Sequence, residues 1–223
     1  GLVMDAVAGP GGIGVLDLQG GVQEHLDHLW RVGVAARPVK RAADLEGLAG
    51  LIIPGGESTC LSRLLNIFGL DKAIRQAYDQ GLKLWGTCAG AILLARENIS
   101  ETPFLGLIDI AISRNAFGSQ LDSFNRAALA PAVAREPIPL TFIRAPKIVR
   151  TGEGVRVLLR LDDYIAAAED DRILVTVFHP ELTPSLAFHR YFARKCGLDV
   201  AGDDAGLDPD WTPLSWTRFS PRV

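Results

Sequence analysis

Three short apolar runs each stop on a glycine-bearing turn, and this repetition constrains the fold more than any other feature of the chain. Ile13–Leu18 runs into Gln19-Gly20-Gly21, Leu51–Ile53 into Pro54-Gly55-Gly56, and Leu82–Trp85 into Gly86-Thr87-Cys88-Ala89-Gly90. Apolar runs of this length bounded by turn formers predict buried strands. Between them, Val22–Val32 and Asp71–Gln80 carry helical spacing, and Val34–Val39 reads as another strand. Ser58 or Thr59 can cap a helix after the second turn, and Ala91–Glu97 reads as a helix after the third. Strands alternating with helices predict right-handed βαβ units. Beyond them, Leu107–Ser113, Thr141–Ile143, Lys147–Val149, Val155–Leu161, Tyr164–Ala168 and Arg172–Phe178 read as strands with short links, and Leu186–Lys195 as a closing helix. The expected fold is α/β: an open, mixed but largely parallel sheet with helices on both faces.

A chain of 223 residues accommodates one such domain with a substantial core. It is placed at residues 13–198, after an N-terminal extension (1–12) and before a C-terminal tail (199–223). The tail turns acidic but holds Trp211, Trp216 and Phe219, which read as packed on the domain surface rather than on another chain. Gly1 is not an initiator residue, so Met4 is read as the natural start. A net charge of -3 offers no nucleic-acid or anionic-membrane surface. No apolar run is long enough for a membrane-spanning helix. Three cysteines, Cys60, Cys88 and Cys196, make no disulfide framework and point to a reducing, cytoplasmic setting.

Of these, Cys88 stands apart. A cysteine between a buried strand and a helix, flanked by Gly86 and Gly90, has the setting of a nucleophile elbow. The positive end of the following helix favours the thiolate, and backbone N–H groups at the turn can serve an oxyanion. Cys60 and Cys196 lack such a frame and read as packing residues. Far along the chain, the apolar run Ile173–Phe178 ends in His179-Pro180-Glu181. In extended backbone, residues two apart face one way, so this histidine and glutamate can form the base and orienting acid of a thiol nucleophile. Alone, His179 reads equally well as a structural histidine at a strand end. His25 and His28, spaced i, i+3 on one helix, could hold a metal, but no third ligand is evident, so they read as solvated or partner-facing. His189 lies in helical surroundings.

Together, PGGE (54–57), GTCAG (86–90) and FHPEL (178–182) resemble the class I, triad-type glutamine amidotransferases. LQGG (18–21), PGGEST (54–59), SRNAFGSQLDSF (113–124), FIRAP (142–146) and FHPELT (178–183) narrow the resemblance to the glutaminase subunits of pyridoxal 5'-phosphate synthase. It spans roughly residues 13–195. The resemblance implies a flavodoxin-like three-layer fold and hydrolysis of L-glutamine through a γ-glutamyl thioester, with no metal and no organic cofactor. It also implies a separate (β/α)8-barrel synthase subunit, joined in a large hetero-oligomer, that receives the ammonia for vitamin B6 biosynthesis. Carried over by position, Cys88 is the nucleophile, His179 the base and Glu181 its orienting acid. Gly56, Glu57, Ser58, Arg114, Ile143 and Arg144 bind L-glutamine. Gly56 and Ala89 supply the oxyanion site, and Gln19 belongs to the partner interface. Asp17, Cys60 and the long tail depart from the family's pattern. Rival readings are a glutaminase serving another synthase, a non-catalytic subunit of the same fold, and a cysteine hydrolase or redox protein. The RNAFGSQ and FIRAP segments weigh against the first, and the intact Cys, His and Glu set against the second.

Overall fold

The computed structural model describes residues 11–99, 101–114 and 123–200. Most of the N-terminal extension, residues 115–122 of the SRNAFGSQLDSF segment and the aromatic tail with Trp211, Trp216 and Phe219 lie outside them.

The chain begins β1 (Ile13–Leu16), α1 (Val22–Arg31), β2 (Ala36–Val39), β3 (Gly50–Ile53), α2 (Ser58–Ile67), α3 (Leu70–Asp79), β4 (Lys83–Thr87) and α4 (Ala89–Leu94). It continues β5 (Ala95–Asn98), β6 (Ile108–Ser113), β7 (Ser123–Ala128), β8 (Ile138–Ile143), β9 (Lys147–Thr151), β10 (Arg156–Leu161), β11 (Tyr164–Glu169), β12 (Ile173–Thr176) and α5 (Ala187–Lys195). Short 3-10 turns occupy Ala42–Leu45 and Pro180–Leu182.

The main sheet runs β2-β1-β3-β4-β12-β11-β9-β6-β5, with β10 added on β11, while β7 and β8 form a separate hairpin. β2, β1, β3, β4 and β12 are mutually parallel, and the pairs from β12 to β6 are antiparallel. The sheet is therefore mixed, as expected, with its parallel part in the first half and at β12. From β1 the chain crosses one way to β2, and from β3 it crosses the other way to β4. Right-handed crossovers in opposite directions put α1 on one face and α2 and α3 on the other. The contacts agree: α1 packs with α5, and α2 packs with α3 and α4.

Two elements differ from the sequence reading. The helix after Cys88 starts at Ala89 and stops at Leu94, and the expected helical residues Ala95–Glu97 are strand β5, paired in parallel with β6. The helix begins one residue after Cys88 because the elbow itself is its N-cap. Strand β7 has no counterpart in the sequence reading; its side chains are mostly exposed, so it carries no buried apolar alternation to read.

The core that positions the site is aromatic. Phe142 of β8 meets Phe178 edge-on at 5.7 Å, and Phe178 meets Phe188 of α5 at 5.1 Å. All three are fully buried, and the His179 N–H donates to the Thr141 carbonyl at 2.8 Å. These contacts dock the β7–β8 hairpin on the end of β12. Among the described residues, no helix is long and apolar enough to cross a membrane.

Candidate active site

In an open α/β sheet, ligands bind outside the carboxyl ends of the strands where the crossover direction reverses. Here that point lies between β1 and β3. The turns carrying Gln19, Pro54–Ser58, Cys88 and His179 follow β1, β3, β4 and β12, four neighbouring parallel strands. Residues from distant parts of the sequence thus meet at one edge.

Cys88 adopts φ 51°, ψ -107°, a strained conformation for a residue with a side chain. Its N–H donates to the Thr176 carbonyl of β12 at 2.8 Å, and its carbonyl accepts from Ile92 in the first turn of α4. The two flanking glycines are required by close approach. A Cβ on Gly90 would run into the Ile53 carbonyl, and one on Gly86 would lie 2.6 Å from the Gly90 backbone. The elbow therefore sits directly over β3, with Sγ 4.0 Å from the Ile143 carbonyl. Ala89, at the first position of α4, has a backbone N–H without an intrahelical acceptor.

His179 Nδ1 lies 2.6 Å from Glu181 Oε1. The pair meets by a route other than the one the sequence suggested. Pro180–Leu182 is a 3-10 turn rather than extended backbone, and the turn folds Glu181 back beneath the imidazole. On its other side the His179 ring faces the Cys88 side chain. Burial disfavours the imidazolium. Glu181 and Cys88 outweigh it and hold His179 well above the ordinary histidine range. Burial likewise works against the Glu181 carboxylate, but His25 and then His179 pull its pKa down to about 2. Glu181 is thus an anion at 1% exposure.

The second turn completes the site. A Cβ on Gly55 would sit 2.7 Å from His179 Cε1 and 3.3 Å from Cys88 Cβ, so only glycine lets this backbone lie against the pair. Gly56, at φ +149°, packs against Gln19, and Gln19 Oε1 accepts from the Glu57 N–H at 2.9 Å. Neither Ser58 nor Thr59 caps α2. The cap is Glu57, whose carboxylate accepts from the N–H groups of Thr59 at 3.1 Å and Cys60 at 2.7 Å. The Cys60 N–H, the Thr59 N–H and hydroxyl, and Arg114 hold Glu57 below the usual carboxylate range. Arg114 spans Glu57, at 2.9 Å, and Glu101. Ser58 is buried, whereas Arg144 is exposed at φ 47° just past Ile143.

Residues 15–198 match the SNO glutamine amidotransferase family. The chain belongs to this family. It is 60% identical to the pyridoxal 5'-phosphate synthase subunit PdxT of Syntrophus aciditrophicus over 213 residues, 95% of each chain. It is 46% identical to the subunit of that name from Thermus thermophilus, over 84% of this chain and 99% of the other. A crystal structure of a glutamine amidotransferase superposes with a TM-score of 0.79 at 42% identity, covering 84% of this chain and all of that one. The PurLQS structure from Thermotoga maritima, at 16% identity and a TM-score of 0.58, shares the fold.

In this amidotransferase His25 and His28 are neither solvated nor set on an exposed face, contrary to the sequence reading. His25 and His189 are fully buried, and His28 is nearly so. His25 Nδ1 lies 2.8 Å from His189 Nε2, while both ring nitrogens of His28 lie 2.9 Å from backbone carbonyls, of Glu24 and Thr183. These nitrogens point at one another, at backbone and, for His25 Nε2, at Glu181 rather than at a common centre, and the described residues hold no group of three or more such ligands. Periodicity misleads here because these histidines lie on the inner face of α1, and their partner His189 is 164 residues away from His25. Gly55 is a further residue of the candidate site that the sequence does not single out, since a Gly-Gly turn does not say which glycine faces Cys88. The packing reading of the other cysteines holds for Cys196, whose thiol burial pushes up to about 12 against the pull of Lys83 and Lys195. Cys60 is exposed.

The buried histidines set an acid limit on stability. Burial is the main reason that the His25 pKa falls from 6.5 to about 4; Glu181 opposes it, and His28 and His179 add to it. A lowered histidine pKa means that the fold favours the neutral ring. This stabilisation is complete above pH 6.5 and is lost as pH falls toward 4, in all about 3 kcal/mol at 1.36 kcal/mol per unit. His189 acts in the same sense, and Glu181 adds a loss below pH 4.5. His179, raised, contributes fully below pH 6.5 and loses its contribution only as pH climbs through its elevated value. Urea unfolding at pH 7.5 and pH 5 is expected to differ by about 2 kcal/mol from His25 alone, with the acidic sample less stable. Equal midpoints would contradict this account.

Proposed function

We infer that this chain is the glutaminase subunit of a pyridoxal 5'-phosphate synthase, hydrolysing L-glutamine to glutamate and ammonia and supplying that ammonia for vitamin B6 synthesis. The observation that carries the reading is the set Cys88–His179–Glu181 at the carboxyl ends of β4 and β12, in a chain 60% identical over 95% of its length to a subunit bearing that name. Residues 13–198 form the amidotransferase domain, and its setting is cytoplasmic.

Cys88 is the nucleophile. Its thiolate adds to the side-chain amide carbon of glutamine, and the backbone N–H groups of Gly56 and Ala89 receive the oxyanion, each such donor being worth about 3 kcal/mol. His179, protonated at the expense of the thiol, passes a proton to the departing nitrogen, and the C–N bond breaks to release ammonia and leave a γ-glutamyl thioester. His179 then takes a proton from water, hydroxide adds to the thioester, and the C–S bond breaks to give glutamate and the free thiol. Glu181 fixes the imidazole and supports its charge. Glu57, Ser58 and Arg114 hold the α-amino and α-carboxylate groups, and Ile143 with Arg144 forms the facing wall. The existing Arg114–Glu57 bridge supports this assignment, because it already places opposite charges where a zwitterion's ends divide between them. The partner is a separate (β/α)8-barrel synthase subunit contacted near Gln19. Its position supports coupling, since Gln19 holds the Glu57 N–H within the glycine turn.

The test is glutamate release from L-glutamine by the chain alone and with its synthase subunit. Stimulation by the subunit is expected. Activity indifferent to it would move the enzyme to another pathway, and none in either case would refute the reading.

A further inference from the structure

We propose that His25 is a positioning residue of the active site: from α1 it holds the Glu181 oxygen that His179 leaves free, so that Cys88, His179, Glu181, His25 and His189 form one directed chain of side chains. The proposal rests on the triad reading above and extends it by two residues that the mechanism does not use.

Glu181 Oε1 serves His179 at 2.6 Å. Its other oxygen, Oε2, is buried with no hydrogen-bond partner, and so is Nε2 of His25. These two atoms face each other at 3.4 Å, at 1% and 0% side-chain exposure. A buried polar atom left unpaired is destabilising. A small shift that shortens and straightens this contact would satisfy both atoms at once, and hydrogen bonds at catalytic groups commonly tighten only when substrate binds.

The carboxylate dictates where the protons lie. An ionised carboxylate only accepts, so His25 must present Nε2–H to it. A neutral His25 then has a bare Nδ1, and the 2.8 Å contact with His189 requires that His189 donate from Nε2. The opposite tautomer would aim a lone pair at the anion. Neutrality of His25 at physiological pH agrees with its lowered pKa, so Glu181 meets a neutral donor on one side and His179 on the other. The groups facing Glu181 are His179, His25 and, from the first turn of α1, the carboxyl of Glu24, whose pKa is raised mainly by burial and in part by Glu181 itself. Those around His25 are Glu181, His28, His179 and His189.

The rings have little freedom to turn. Trp85 lies edge-on to His25 at 5.7 Å and to His189 at 4.8 Å, and its indole N–H donates to the Thr176 hydroxyl at 3.1 Å. Each further donor that fixes Glu181 narrows the arc in which His179 can move relative to Cys88. A carboxylate held at one oxygen can rotate about its terminal bond, whereas one held at both cannot.

Two amide substitutions separate the contacts of His25. In H25N the shorter amide reaches the place of Nδ1, toward His189, but falls short of Glu181. In H25Q the longer amide reaches the place of Nε2 and can donate to Glu181. With the synthase subunit present, H25N is expected to lower kcat for glutamine hydrolysis about 10- to 100-fold with KM nearly unchanged, and to move the acid limb of the pH profile upward. H25Q is expected to return kcat to within a few-fold of wild type and restore the limb. Because His25 acts through Glu181, H25N/E181Q should be no slower than E181Q alone. Wild-type kcat and pH profile in H25N, or multiplying losses in the double variant, would overturn the proposal while a slow E181Q left the triad standing. A fast E181Q would refute the triad reading and the proposal with it. Nitrogen-15 NMR of the histidine-labelled wild-type protein tests it without any variant: His25 should carry its proton on Nε2, and a proton on Nδ1 would overturn it.

Discussion

The C88A substitution is expected to reduce glutamate release by about 10⁴-fold or more with the synthase subunit present. The fold should survive the change. Cys88 sits at φ 51°, where the strain falls equally on any residue with a Cβ, so alanine adds none. The variant loses only a sulfur, whose contacts are the His179 ring and a weak approach to the Ile143 carbonyl at 4.0 Å. Trimming one buried atom costs about 1 kcal/mol, a few degrees in Tm for a domain of this size. A Tm within a few degrees of wild type beside vanished turnover would tie the loss to chemistry, and C88A should also resist labelling by a glutamine-analogue electrophile that modifies wild type. Retained hydrolysis would remove Cys88 from the mechanism.

The parts of the site that are legible in the sequence are those written in local pattern. An apolar run, a glycine turn and a cysteine announce a strand, an elbow and a candidate nucleophile, because only glycine tolerates the closeness that the structure shows at Gly86 and Gly90. His179 and Glu181 are legible for a similar reason, although a two-residue spacing does not distinguish an extended strand end from the 3-10 turn that joins them. Long-range pairing is not legible. Nothing in residues 22–31 says that His25 faces an imidazole 164 residues on or the back of a carboxylate, since an i, i+3 histidine pair looks the same on a wet face and on a buried one. Strand β7 escapes because most of its side chains face solvent, and the cap of α2 because Glu57, which reads as a substrate ligand, can cap as well.

The E181Q substitution is expected to slow hydrolysis on the order of 10³-fold, through kcat rather than KM, while leaving the geometry nearly intact. The carboxylate does two things for His179: it accepts from Nδ1 at 2.6 Å, and it supplies the charge that keeps the imidazole protonated once the thiol has given up its proton. An amide preserves the first only by placing its oxygen toward His179. Its NH₂ group then faces His25 Nε2, which must shed its proton to accept, and the His25–His189 bond must reverse its donor. Both rings can do so, which is why the variant should fold and still bind glutamine. The second contribution cannot be recovered, because no other carboxylate lies against His179 among the groups that set its pKa. The thiolate–imidazolium pair then loses its support, and electrophile labelling of Cys88 should slow along with turnover. Should E181Q label and turn over at wild-type rates, the charge on Glu181 would have no part in activating Cys88. The pKa near 2 that two histidines impose on it would then be a feature of folding alone.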